Sequence, residues 1–91
     1  MALSVRYDDF RGFAERRPDR AIGSEVRLNL LALEYGYKYR LDIRARNGLS
    51  RIEFVGTLSE ARFIGRPIRR TGGGVTFYKI SADGTLKRHQ W

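Results

Sequence analysis

From Tyr37 to Arg46 the chain alternates without a fault. Tyr37, Tyr39, Leu41, Ile43 and Ala45 fall on one side, and Lys38, Arg40, Asp42, Arg44 and Arg46 on the other. A period of two is that of a β-strand. Asn47-Gly48 follows, and both residue types tolerate the positive φ that a two-residue hairpin turn requires. Such a turn pairs Ala45 with Ser50, Ile43 with Ile52, Leu41 with Phe54 and Tyr39 with Gly56. That register predicts one apolar and one charged face for the hairpin.

Upstream the period lengthens. In residues 7–17, Tyr7, Phe10, Phe13 and Ala14 recur at spacings of three and four, the repeat of one helix face. Asp8 and Asp9 suit the positive end of the helix dipole and Arg16 and Arg17 its negative end. Pro18 is the expected stop. Residues 25–35 carry two patterns, a helical stripe of Val26, Leu30 and Leu33 and a strand-like alternation of Val26, Leu28 and Leu30. Ser24 as N-cap and Gly36 as the residue after the C-cap decide for helix.

Downstream, "TLSEA" reads as a turn and residues 62–70 as a third strand. Pro67 cannot donate to a ladder, so this strand belongs at an edge or a bulge. Gly72-Gly73-Gly74 reads as a loose turn into residues 75–81, and Asp83-Gly84 closes a last hairpin with residues 85–91. Two registers fit. A two-residue turn sets Tyr78 opposite His89, whereas a three-residue loop with left-handed Gly84 sets Phe77 opposite His89 and Val75 opposite Trp91. The fold class is α+β: two N-terminal helices packed on an antiparallel meander of four to five strands. One domain spans 1–91, helical over about 4–35 and sheet over about 37–91, with the helices on one sheet face and charge on the other.

Charge sharpens this picture. Eighteen Lys and Arg stand against ten Asp and Glu, a net of +8. Residues 1–45 hold nine basic and seven acidic side chains, and residues 46–91 hold nine and three, so the excess lies in the second half. Clustered cations displace condensed counterions from phosphates, which makes nucleic acid, DNA or RNA, the leading partner. The chain has no cysteine, which removes disulfides, zinc–thiolate sites and thiol nucleophiles. With one histidine, His89, no His pair can bind a metal, and no cofactor is expected. "MALSVRYDDF" lacks the apolar core of a signal peptide and no run approaches a membrane span, so a cytoplasmic protein without a membrane partner is expected.

The candidate nucleic-acid-binding residues are Arg62, Arg66, Arg69 and Arg70, with Arg51, Lys79, Lys87 and Arg88 in support. The four arginines have no acid among them, and the triple glycine suggests a mobile arm that orders on a polyanion. On the first hairpin, Asp42 and Glu53 lie close enough in register to Arg44 and Arg51 to absorb charge. Tyr37 and Tyr39 point to the apolar face, which leaves Tyr78, Trp91 and Tyr7 for base stacking and favours phosphate contact. The leading function is therefore a small non-enzymatic binding module with little base specificity. A protein-interaction or regulatory module, such as a small phage- or plasmid-type modulator docking through the Pro67 edge, is the first alternative. The second is a metal-free ribonuclease toxin, in which Glu53 takes the 2′-hydroxyl proton, His89 protonates the leaving oxygen and Arg88 holds the phosphate.

Overall fold

The computed structural model describes residues 4–16 and 24–90. Its elements run β1 (Ser4–Arg6), α1 (Tyr7–Glu15), α2 (Glu25–Glu34), β2 (Tyr39–Arg44), β3 (Ser50–Val55), α3 (Leu58–Arg70), β4 (Gly74–Ile80) and β5 (Leu86–Arg88). The strands form one sheet in the order β1-β3-β2-β4-β5, every neighbouring pair antiparallel. The α+β class and the antiparallel sheet are as expected from the sequence. The uninterrupted meander is not, because a helix separates β3 from β4 and the short β1 joins the sheet beside β3.

The N-terminal helices form where the apolar spacing places them. Tyr7, Phe10 and Ala14 of α1 are buried, and α1 ends at Arg16. Arg17 and the proposed stop at Pro18 lie outside the described residues, as does Trp91. Ser24 caps α2, its hydroxyl accepting from the backbone N–H of Arg27 at 3.3 Å. Gly36, at φ +90°, closes α2 in a Schellman motif: its N–H donates to the Leu33 carbonyl and that of Tyr37 to the Ala32 carbonyl. Capping thus settles a segment whose apolar pattern fits two structures.

The first hairpin is shifted by one residue. Ala45 closes it against Leu49, and Arg46, Asn47 and Gly48 form a three-residue loop. Only Gly48 has positive φ, at +88°, whereas the expected two-residue turn needs two such residues. Ile43 therefore faces Arg51, and Leu41 faces Glu53. A slip of one residue moves a strand's whole apolar set to the other face. Phe54 and Ile52 consequently join the core under α1 and α2, while Tyr39, Leu41 and Ile43 belong to a second core on the opposite face.

That second core calls for a cover, and α3 provides it. Residues 62–70 are helical, not the expected edge strand. Thr57 caps the helix, its hydroxyl accepting from the N–H of Glu60 at 3.1 Å. Ala61 and Gly65, one turn apart, are buried, and Leu58, Ile64 and Ile68 pack beside them on Leu41, Ile43 and Phe77. Pro67 lies within α3 on its exposed side, where water can satisfy a carbonyl freed by the missing N–H. The triple glycine is not a loose arm. Gly72 (φ +88°) and Gly73 complete a Schellman motif on the carbonyls of Arg69 and Ile68. A Cβ on Gly73 would meet the Arg44 carbonyl oxygen at 2.8 Å, so this turn is wedged against the end of β2.

The last hairpin takes the second of its two expected registers. Ser81 closes against Thr85 around left-handed Gly84, and the His89 N–H donates to the Phe77 carbonyl at 2.8 Å. Asp83 Oδ1 accepts from both the N–H and the hydroxyl of Thr85, which lowers the Asp83 pKa below its ordinary value.

Beneath α1 and α2, Arg40 is only 11% exposed, with its guanidinium bonded to Asp42 and Glu25 and lying 5.4 Å from the centre of the Tyr7 ring. The Tyr7 hydroxyl donates to Glu25 at 2.5 Å. Burial, then the hydrogen bond to Glu25 and repulsion from its charge, raise the Tyr7 pKa above 10.0. A raised folded-state pKa means that this contribution is complete below pH 10.0 and is lost as pH climbs through the folded value. Denaturation midpoints followed between pH 9 and pH 12 should therefore decline less steeply in Tyr7→Phe than in wild type. Equal slopes would show that the phenol is not coupled to folding.

Candidate nucleic-acid interface

Helix α3 presents opposite characters on its two sides. At about 100° per residue, Ala61, Gly65, Leu58, Ile64 and Ile68 take the sheet side, and Arg62, Arg66, Arg69 and Arg70 share a stripe on the other. Arg66, Arg69 and Arg70 are exposed and Arg62 half-buried. The sequence spacing that looks irregular for a strand is i, i+4, i+7, i+8 on a helix, and it brings all four together. Arg69 and Arg70 occupy the last turn, where cations also suit the helix dipole. Glu60, the one carboxylate of α3, lies at the opposite end of the helix.

Three arginines elsewhere are paired with carboxylates. Arg11 bonds Glu15 at 2.9 Å, Arg40 bonds Asp42 and Glu25 at 2.9 and 3.1 Å, and Arg51 lies 3.5 Å from Glu53. Arg62, Arg66 and Arg70 have no carboxylate within ion-pair distance among the described residues. The hairpin carboxylates do take up charge, but not across the strands onto Arg51 and Arg44 as expected: Asp42 pairs with Arg40 and Glu53 with Arg51, each two residues along its own strand.

The remaining candidates divide. Lys79 pairs with Tyr39 and Lys87 across the ladder, so alternation places both lysines on the α3 side of the sheet, directly opposite each other. Two like charges in that position repel, and they are tolerated because both are exposed. Arg88 lines a depression together with Arg69, Val75, Phe77, His89 and Gln90. The stem of Arg46, not singled out from the sequence, passes 3.7 Å from where a Cβ on Gly72 would sit, which extends the cationic surface beyond the C-terminus of α3.

The ribonuclease constellation is not assembled. Glu53, Leu41, Phe77 and His89 stand in one transverse row, on β3, β2, β4 and the continuation of β5. At about 4.8 Å per strand the carboxylate and imidazole are about 14 Å apart, with buried Leu41 and Phe77 between them. His89 packs as a core-edge residue. Its ring stacks on Phe77 at 4.9 Å and meets Tyr39 edge-on at 6.2 Å. Its Nδ1 lies 2.6 Å from the Gln90 carbonyl, which requires the proton on that nitrogen.

The aromatic candidates change as well. Tyr7 and Phe77 are buried, so neither can stack on a base, and Tyr78 is half-buried. Phe63, which was not singled out from the sequence for base stacking, is 78% exposed on α3. Thr57-Leu58-Ser59-Glu60 was the signal that could have revealed the helix, because a capping box ahead of apolar residues at 61, 64, 65 and 68 is a helix start. The sequence reading took these residues as a turn. The Pro67 edge proposed for protein docking is therefore a helix surface.

Among the described residues no cluster of His, Asp and Glu could hold a metal ion, and no helix is long and apolar enough to cross a membrane. Comparison with protein-family models, curated proteins and solved structures finds no match for this chain.

Proposed function

We propose that this protein is a small non-enzymatic module that binds nucleic acid through phosphate contacts made by the outward face of α3. The observation that carries the reading is that helical spacing gathers Arg62, Arg66, Arg69 and Arg70 on one side of α3, with no carboxylate within ion-pair distance of Arg62, Arg66 or Arg70 among the described residues. An unneutralised guanidinium on a rigid helix is available for bidentate phosphate contact without first breaking an internal pair. Arg69, Arg46, Lys79 and Lys87 extend the surface at its flanks and ends, whereas Arg88, in the row of Tyr78 and Arg40, belongs to the other side of the sheet. Fixing the arginines on a packed helix, in place of a mobile arm, lowers the entropy lost on binding.

Affinity should fall steeply with salt. Four phosphate contacts give a slope of about −2.8 on single strands and about −3.6 on duplex, so raising salt from 50 to 200 mM should weaken binding by about fifty- to 150-fold. Fluorescence anisotropy with a mixed-sequence oligonucleotide measures this directly. Absence of binding at 50 mM salt, or a slope near zero, would overturn the proposal.

A further inference from the structure

Phe63 sits in the arginine stripe with its ring in solvent, 78% exposed. Arg62 precedes it, Arg66 follows one turn later and Arg70 two turns later, about 4.5 and 10.5 Å further along the helix axis. The ring makes no aromatic contact among the described residues, whereas the rings of Phe10, Phe13, Phe54 and Phe77 each pack against another. Single exposed apolar side chains are common and need no explanation. Leu49, in the first hairpin loop, is one. Phe63 differs in being aromatic and in being flanked by cations that draw a polyanion to it.

We infer that Phe63 is a base-stacking platform, and that the polyanion of this surface is single-stranded nucleic acid. The inference rests on the phosphate-binding role proposed for α3 and specifies its ligand. Single-strand binders combine a cationic track for the backbone with aromatic faces for the bases, and every base offers a π-face. In a duplex the bases are stacked on each other, so a lone exposed ring gains nothing from them. The same elements explain why sequence preference should be weak, because stacking does not read hydrogen-bonding edges.

The test uses a single-stranded oligonucleotide of about 16 nucleotides and the duplex of the same sequence. Wild type should bind the single strand more tightly than the duplex. Phe63→Ala should weaken single-strand binding by about five- to 150-fold, with duplex affinity and the salt slope unchanged. Phe63→Trp should retain the preference, and its fluorescence should be quenched by the single strand beyond the change seen in wild type. Tighter binding of duplex by wild type, or equal single-strand affinity for wild type and Phe63→Ala, overturns the stacking inference while salt-sensitive binding keeps the phosphate reading. Binding to neither oligonucleotide, with or without capture on anionic vesicles, overturns both.

Discussion

Replacing Gly84 by alanine is expected to lower the melting temperature by at least about 12 °C. Gly84 has φ +87°, a conformation that costs an L-residue about 1–2 kcal/mol. The larger penalty is steric. A Cβ there would sit 2.6 Å from the Val26 carbonyl oxygen, 2.8 Å from Val26 Cγ1 and 2.9 Å from Leu30 Cγ. The first of these is helix backbone and cannot turn aside, so the β4–β5 loop must lift from α2.

Lifting the loop breaks the hydrogen bond from Asn29 Nδ2 to the Gly84 carbonyl, 2.8 Å long and buried. Asn29 is 2% exposed and its Oδ1 has no partner among the described residues, so the side chain would retain no bond at all. These terms together come to about 3 kcal/mol or more, a large part of the roughly 5–14 kcal/mol that holds a chain of this size folded. Gly48→Ala is the matched comparison. Gly48 has φ +88° but nothing within 4 Å of its would-be Cβ, so it reports the conformational penalty alone. Thermal unfolding followed by circular dichroism should rank the variants wild type, Gly48→Ala, Gly84→Ala. Equal melting temperatures for the two alanine variants would show that the loop is not clamped to α2.

The second large effect concerns binding. Arg62→Gln, Arg66→Gln and Arg70→Gln combined should weaken single-strand affinity about a hundredfold at 0.1 M salt. Each phosphate contact releases counterions worth about 1 kcal/mol at that concentration, and three give about 3 kcal/mol. Glutamine removes the charge while keeping a polar side chain and a similar helix propensity. The lost dipole interaction of Arg70 is worth about 0.3–1 kcal/mol, so the fold should survive with a melting temperature only a few degrees lower. Arg11→Gln with Arg51→Gln is the control. These arginines already face Glu15 and Glu53, and their removal should change affinity by less than about threefold. If the triple variant binds as tightly as wild type, the phosphates are held elsewhere and α3 is not the interface.

Local chemistry was most legible where it was self-contained. Ser24 and Gly36 identified α2 because a cap is a contact among residues a few positions apart. The spacing of Tyr7, Phe10 and Ala14 identified α1 for the same reason. The reading failed at α3, where the Thr57–Glu60 box was taken as a turn and Pro67 as the mark of an edge strand; the proline is tolerated in the helix because it lies on the solvent side of α3. The four arginines were singled out from their charge, but the property that makes them a surface is the helical spacing that a strand reading conceals.

The sequence by itself determined the composition of the strands, the caps, the absence of thiol chemistry and the excess of positive charge after residue 45, where acids are few. Only the tertiary structure decided which side of the sheet each side chain serves. A hairpin loop of three residues in place of two sends Phe54 and Leu41 to opposite faces, creating two cores where one was expected. The second core needs a helix over it, and the sheet-facing stripe of that helix turns its arginines and Phe63 outward. The physical reason is that side-chain direction in a strand has a period of two, so one residue of loop length, beyond the reach of local propensity, sets the polarity of the whole layer.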